Sequence, residues 1–245
     1  MSRRTQAVLL LVVGAAVLRA STGELYLRYV KSGLRPLLIV GGIVLVITAL
    51  MTLWHELTGR TADADGHGHP PGDGHGHGGT GSRAAWLLVV PLFGMLLITA
   101  PALGSYAATH DGTVTPVLTT VGTLPAGDPV RMRVVEYASR AAYGHSGTLA
   151  GRQVALTGFV ATDPSGHPFL ARMLLRCCAA DAGPVKVGLT GQVPGGVKPD
   201  VWLEVTGRYS PTRVTDRING GVIPYLDVTA WRVVAAPSRP YESPQ

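Results

Sequence analysis

The chain has 245 residues, 46% hydrophobic and only 15% charged, with a net charge of +6 and a mean hydropathy of +0.25. Soluble domains carry about a quarter charged residues, so part of this chain suits lipid better than water. Its arginines are scattered rather than gathered on a helix face, which argues against nucleic acid as a partner. The two cysteines are adjacent, Cys177-Cys178, and cannot form a disulfide framework.

Three hydrophobic stretches lie before residue 105. Ala7 to Leu18 follows the basic start Arg3-Arg4 and predicts a signal-anchor span near 6–27, provided the helix continues past Arg19. Leu37 to Trp54 is uninterrupted by charge, with Pro36 at its start and Trp54 and His55 as an interfacial end, and predicts a span over 36–55. Ala84 to Leu103, with Trp86 at one end, predicts a third span over 84–103. Basic residues are nearly balanced across these spans: Arg3, Arg4, Arg60 and Arg83 on one side, Arg28, Lys31 and Arg35 on the other. The basic N-terminus tips the expected topology to N-inside, with the C-terminal domain outside the membrane.

Between the second and third stretches, residues 59–82 are dominated by Gly, Pro, Asp and His, with nothing apolar to bury, and are expected to be disordered. Residues 105–128 read as a Thr/Gly/Pro-rich tether. Pro129 to Ala142 has Val130, Val134, Val135 and Ala138 near helical spacing, with Gly144 as its C-terminal cap. From Arg152 the period changes to two. Five strands are expected, around 152–162, 169–176, 185–189, 201–209 and 224–234. VALTGFV and LEVTGRY each place a glycine mid-strand, as a sharp bend in a small barrel requires. The expected fold class is therefore α+β: three N-terminal transmembrane helices, then a small OB-like β-barrel over 129–237 and a disordered tail at 238–245.

Two constellations could carry chemistry. His67 and His69, then His75 and His77, form two His-Gly-His units whose imidazoles suit Zn²⁺, Cu²⁺ or Ni²⁺. A glycine-rich loop loses much entropy on closing around an ion, so such a site would be weak and unselective, and a solvated loop without a role explains the same residues. Cys177, Cys178 and Asp181 are more specific. Three explanations stand for them: small buried side chains, a metal site with Asp181 or a histidine such as His145 or His167, or a redox-active vicinal pair. His55-Glu56 lacks the second histidine of a zinc-protease helix. There is no nucleophile with a base, no phosphate-cradling loop and no dinucleotide fingerprint, so no catalytic residue is assigned.

GFV about twenty residues before RCCAAD, then Asp200-Val201-Trp202 in a strand ending V-x-G, resembles the YcgQ-type family of uncharacterised bacterial membrane proteins. The resemblance implies an accessory subunit of a predicted multi-span permease, without catalytic residues. The expectation is thus a non-enzymatic, membrane-anchored permease subunit in contact with the bilayer. No cofactor is required by the sequence; zinc is the ion its donors suit. Two alternatives remain: a membrane-anchored redox or metal-binding enzyme using Cys177-Cys178, and an envelope scaffold with a protein-binding barrel.

Overall fold

The computed structural model describes residues 3–23, 25–58, 102–117, 122–193 and 195–243. They fall into two compact units, Met1–Tyr26 with Gly33–Pro101 and Leu27–Ser32 with Ala102–Gln245.

The first unit is a helical hairpin of α1 (Arg3–Thr22) and α2 (Arg35–Leu57). Small residues make the seam. Ala7 and Ala49 are buried, and a side chain on Gly14 or Gly42 would strike Val46 or Leu18 of the facing helix. Such residues let two helix backbones approach closely. Arg35 donates from Nε to the Ser21 carbonyl at 3.1 Å and lies over the Tyr26 ring, fixing the turn end of the hairpin. The opposite face of α2 is apolar and exposed at Leu37, Val44, Ile47, Leu50, Met51 and Trp54.

Of the three expected spans, α2 is the one helix among the described residues long and apolar enough to cross a membrane. The expected first span does not reach residue 27. Its helix ends at Thr22, its apolar part is confined to Gln6–Thr22, and Leu25–Arg28 turns separately. The run of apolar side chains stops at Arg19, and Ser21 bonds back to the Val17 carbonyl at 2.7 Å. The expected third span, 84–103, lies outside the described residues but for its last two.

The second unit is a closed five-stranded barrel of β2 (Gln153–Thr162), β3 (Pro168–Leu174), β4 (Gly183–Gly191), β5 (Trp202–Thr215) and β6 (Val222–Val233). Around the barrel the strands run β2-β3-β4-β6-β5 and back to β2, with β4 and β6 parallel and the other pairs antiparallel. Two short strands extend it: β1 (Val130–Arg131) beside β2 and β7 (Tyr241–Glu242) beside β3. The alternation that predicted the strands is the barrel interior: Val154, Leu156, Leu170, Val185, Val187, Leu203, Val205, Leu226 and Val228 form one core. Gly207 marks a shift in the β5–β6 register, where an added Cβ would meet the Asp227 carbonyl; this is the bend expected of LEVTGRY.

Two segments differ from expectation. In the expected tether, Ser105–His110 form α3, capped by Asp200, whose carboxylate accepts from the Ser105 N–H and hydroxyl. The following residues dock on the barrel: the Val114 N–H donates to the Pro184 carbonyl at 2.7 Å, and the Pro116 carbonyl accepts from Ser139. A Thr/Gly/Pro composition describes such an irregular but packed strap as well as a free one. In the expected disordered tail, Glu242 is buried. Its carboxylate accepts the N–H groups of Val134 and Val135 at 3.0 and 2.8 Å, and lies 3.7 Å from Arg172 Nε. It caps α4 (Val134–Ala142), which therefore starts later than Pro129 and ends, as expected, before Gly144 in a positive-φ conformation.

Candidate metal-binding loop and a barrel pocket

Beyond the C-terminal end of β3 the chain turns through Arg176-Cys177-Cys178 into a short helical turn, Ala179–Asp181. Asp181 organises this loop by folding back on it. Its Oδ1 accepts the Arg176 N–H at 3.1 Å and its Oδ2 the Cys177 N–H at 2.8 Å. Residues 29–31 add a second clamp: Val30 bridges to Cys178, Lys31 N–H donates to the Cys177 carbonyl at 3.0 Å, and the Tyr29 carbonyl accepts from Ala179 at 2.7 Å.

One donor atom each from Cys177, Cys178 and Asp181 lies within 4.8 Å of the others. Both thiols are free, Cys177 exposed and Cys178 half-buried, so the expectation of small buried side chains does not describe them. Desolvation opposes ionisation of Asp181, yet the N–H groups of Arg176 and Cys177 and the Cys177 thiol hold its carboxyl below the usual range. Hydrogen bonding to Cys178, and then to Asp181, pushes the Cys177 thiol up to about 11. A metal bound at neutral pH would have to displace that proton.

Neither histidine named as a further ligand joins the cluster. His167 lies just before β3, at the far end of that strand from Cys177, with its ring 3.6 Å from Asp163; His145 precedes the turn Ser146–Leu149. His67, His69, His75 and His77 lie outside the described residues. Asp163 is the expected turn residue, accepting the N–H groups of Ser165 and His167 at 2.8 and 2.9 Å.

A second polar centre escaped the sequence reading. Lys186, in β4, donates from Nζ to Asp216 Oδ2 at 2.9 Å, with both side chains buried. Asp216 also accepts the Thr113 N–H at 2.8 Å and the Ile218 N–H at 2.9 Å, tying the β5–β6 hairpin to the strap before the barrel. Burial opposes its ionisation, but the Lys186 ammonium and these N–H groups hold the carboxyl below the usual range. The pair borders a cavity of about 410 Å³ between the β2–β3 loop and the β5–β6 hairpin. The available signal was a lysine alternating with valines in PVKVGL, a charge on the outward face of a strand otherwise buried.

Residues 136–242 match the model of the DUF1980 C-terminal domain, an uncharacterised family. The DUF1980-like region begins within α4 and ends at Glu242, the residue that closes back onto that helix, so it contains the whole barrel. Comparison with curated proteins and with solved structures gave no match.

Proposed function

We propose that this protein is a non-enzymatic, membrane-anchored subunit that presents a soft-metal site to a permease in the same membrane. The observation that carries the reading is the convergence of the Cys177, Cys178 and Asp181 donors within 4.8 Å on an exposed loop. Thiolate and carboxylate donors suit zinc, and three of them leave a tetrahedral ion one open position. An open position on an accessible loop fits an ion received and passed on better than one locked into a fold. The histidine-rich stretch, His67, His69, His75 and His77, would supply further weak imidazole donors.

Anchoring is supported by α2, whose length and exposed apolar face fit a bilayer, with α1 packed along its other side. We read the barrel as OB-like from its strand order and its parallel β4–β6 pair. That likeness is one of fold and brings no activity. The permease partner follows from the resemblance to the YcgQ-type family.

Zinc titration of the full-length protein by calorimetry tests this reading, beside a Cys177→Ser/Cys178→Ser variant and a variant with His67, His69, His75 and His77 changed to Ala. One ion bound by the parent and lost in the cysteine variant is expected. Zinc binding that survives the cysteine changes and disappears with the histidines would move the site to the loop. No binding by the parent would end the metal reading. Affinity purification from membranes should recover a multi-span permease; recovery of a soluble partner instead would favour the scaffold.

A further inference from the structure

The Lys186–Asp216 pair is unevenly satisfied. Asp216 has both oxygens occupied, by the Lys186 ammonium and the N–H groups of Thr113 and Ile218. An ammonium has three donors. Among the described residues Asp216 is the one acceptor that Lys186 Nζ meets, although Lys186 is only 4% exposed. Lys186 lines the cavity, and its Nζ lies over the Phe169 ring, 5.7 Å from the ring centre. Buried donors without an acceptor are costly, so the cavity favours an occupant that brings one.

The rest of the cavity narrows what that occupant is. Arg217 stands at its mouth and has no hydrogen bond or ion pair among the described residues. The second acid there, Asp163, is engaged by the Ser165 and His167 N–H groups and lies 3.6 Å from the His167 ring. Lys186 and Arg217 thus keep donors to spare, while Asp216 has both oxygens engaged and Asp163 is held through Oδ1 by its own turn. The remaining walls include Phe169, Ile218, Ile223 and Tyr225. A volume of about 410 Å³ lies at the small end of ligand sites.

We propose that this cavity binds a small monocarboxylate with an apolar body. The carboxylate takes the free N–H groups of Lys186 and pairs with Arg217. The apolar body lies against Phe169, Ile223 and Tyr225. This site is separate from the cysteine loop: it lies by the start of β3, whereas Cys177 follows its end. It stands whether or not the loop binds metal.

The test is calorimetric titration of 3-phenylpropionate into the full-length protein in lipid nanodiscs, with empty nanodiscs subtracted and 3-phenylpropionamide as control. Saturable one-to-one binding is expected, with the carboxylate at least about tenfold tighter than the amide. Arg217→Gln, an exposed change that spares the fold, should weaken the carboxylate by about threefold or more and leave the amide unchanged. Ile223→Trp should fill the cavity and abolish binding of both compounds while the circular dichroism spectrum is retained. Equal binding of acid and amide, affinity for the acid unchanged by Arg217→Gln, or no saturable binding by the parent would each overturn the proposal.

Discussion

Past the C-terminal end of β3, an exposed loop gathers Cys177, Cys178 and Asp181; near its other end, Lys186 and Asp216 meet at 2.9 Å with side chains only 5% and 3% exposed. The first group is assembled from five consecutive residues by a single carboxylate folding back on its own loop. The second needs β4, the β5–β6 hairpin and the strap to come together, with Thr113 and Asp216 lying 73 and 30 positions from Lys186. A local, solvated cluster can change its donors at little cost to the fold. A buried pair assembled from three segments cannot, because removing one partner strands the other in a poorly solvated site. The two polar centres should therefore respond in opposite ways to substitution.

The largest effect is expected at the buried pair. Lys186→Met removes the ammonium and leaves the Asp216 carboxylate buried with only N–H donors, at a cost of about 3–5 kcal/mol. Urea denaturation followed by circular dichroism of the barrel measures it, and a loss below about 1 kcal/mol would contradict the account. The pH dependence carries the same signature. The Asp216 carboxyl is held below its unfolded value, so its contribution is present above an unfolded pKa of about 3.9 and is lost as pH falls through the lower folded value. Without Lys186 the folded pKa rises, so acid destabilisation of the variant should begin at higher pH than in the parent. An acid limb that coincides in the two proteins would show that the pair does not set it.

A smaller loss is expected from Glu242→Gln. The glutamine keeps one acceptor for the Val134 and Val135 N–H groups but loses the charge facing Arg172 and the start of α4. About 2 kcal/mol is expected, read from the same denaturation curve. Deleting residues after Arg239 should cost more, since both oxygens and β7 disappear together; a truncation as stable as the parent would return the tail to the free segment its composition suggested.

These residues also show what a sequence can reveal. The barrel strands were legible because their inward positions alternate: Val154 with Leu156, Leu203 with Val205, Leu226 with Val228. Cys177, Cys178 and Asp181 were legible because a site built within one loop keeps its members adjacent in the chain. Glu242 was not, because SRPYES is polar and short, and its role depends on Val134 and Arg172 far upstream. Lys186 was hidden in the opposite way. Charge in a strand reads as solvent-facing, and only the hairpin carrying Asp216 turns that face into a buried one. The length of α1 is not legible because apolar residues continue to Leu25 and Leu27, while the helix ends at Thr22.

The smallest effect on stability is expected at the thiols. Cys177→Ser/Cys178→Ser keeps the backbone bonds by which Asp181 and residues 29–31 hold the loop, because those bonds involve main-chain N–H and carbonyl groups. Without metal, the double variant should unfold within about 0.5 kcal/mol of the parent. With zinc present, the parent should gain thermal stability in proportion to the logarithm of free ion concentration, and the variant should not. Melting both proteins across a zinc series separates a metal-binding role for the cysteine pair from a purely structural one. A variant destabilised as strongly as Lys186→Met, with no zinc effect in the parent, would make the thiols packing groups and the likeness between the two ends of β3 closer than their exposure suggests. A zinc-dependent rise confined to the parent would instead assign the thiols to a metal, and set this exposed end of the strand apart from the buried pair at the other.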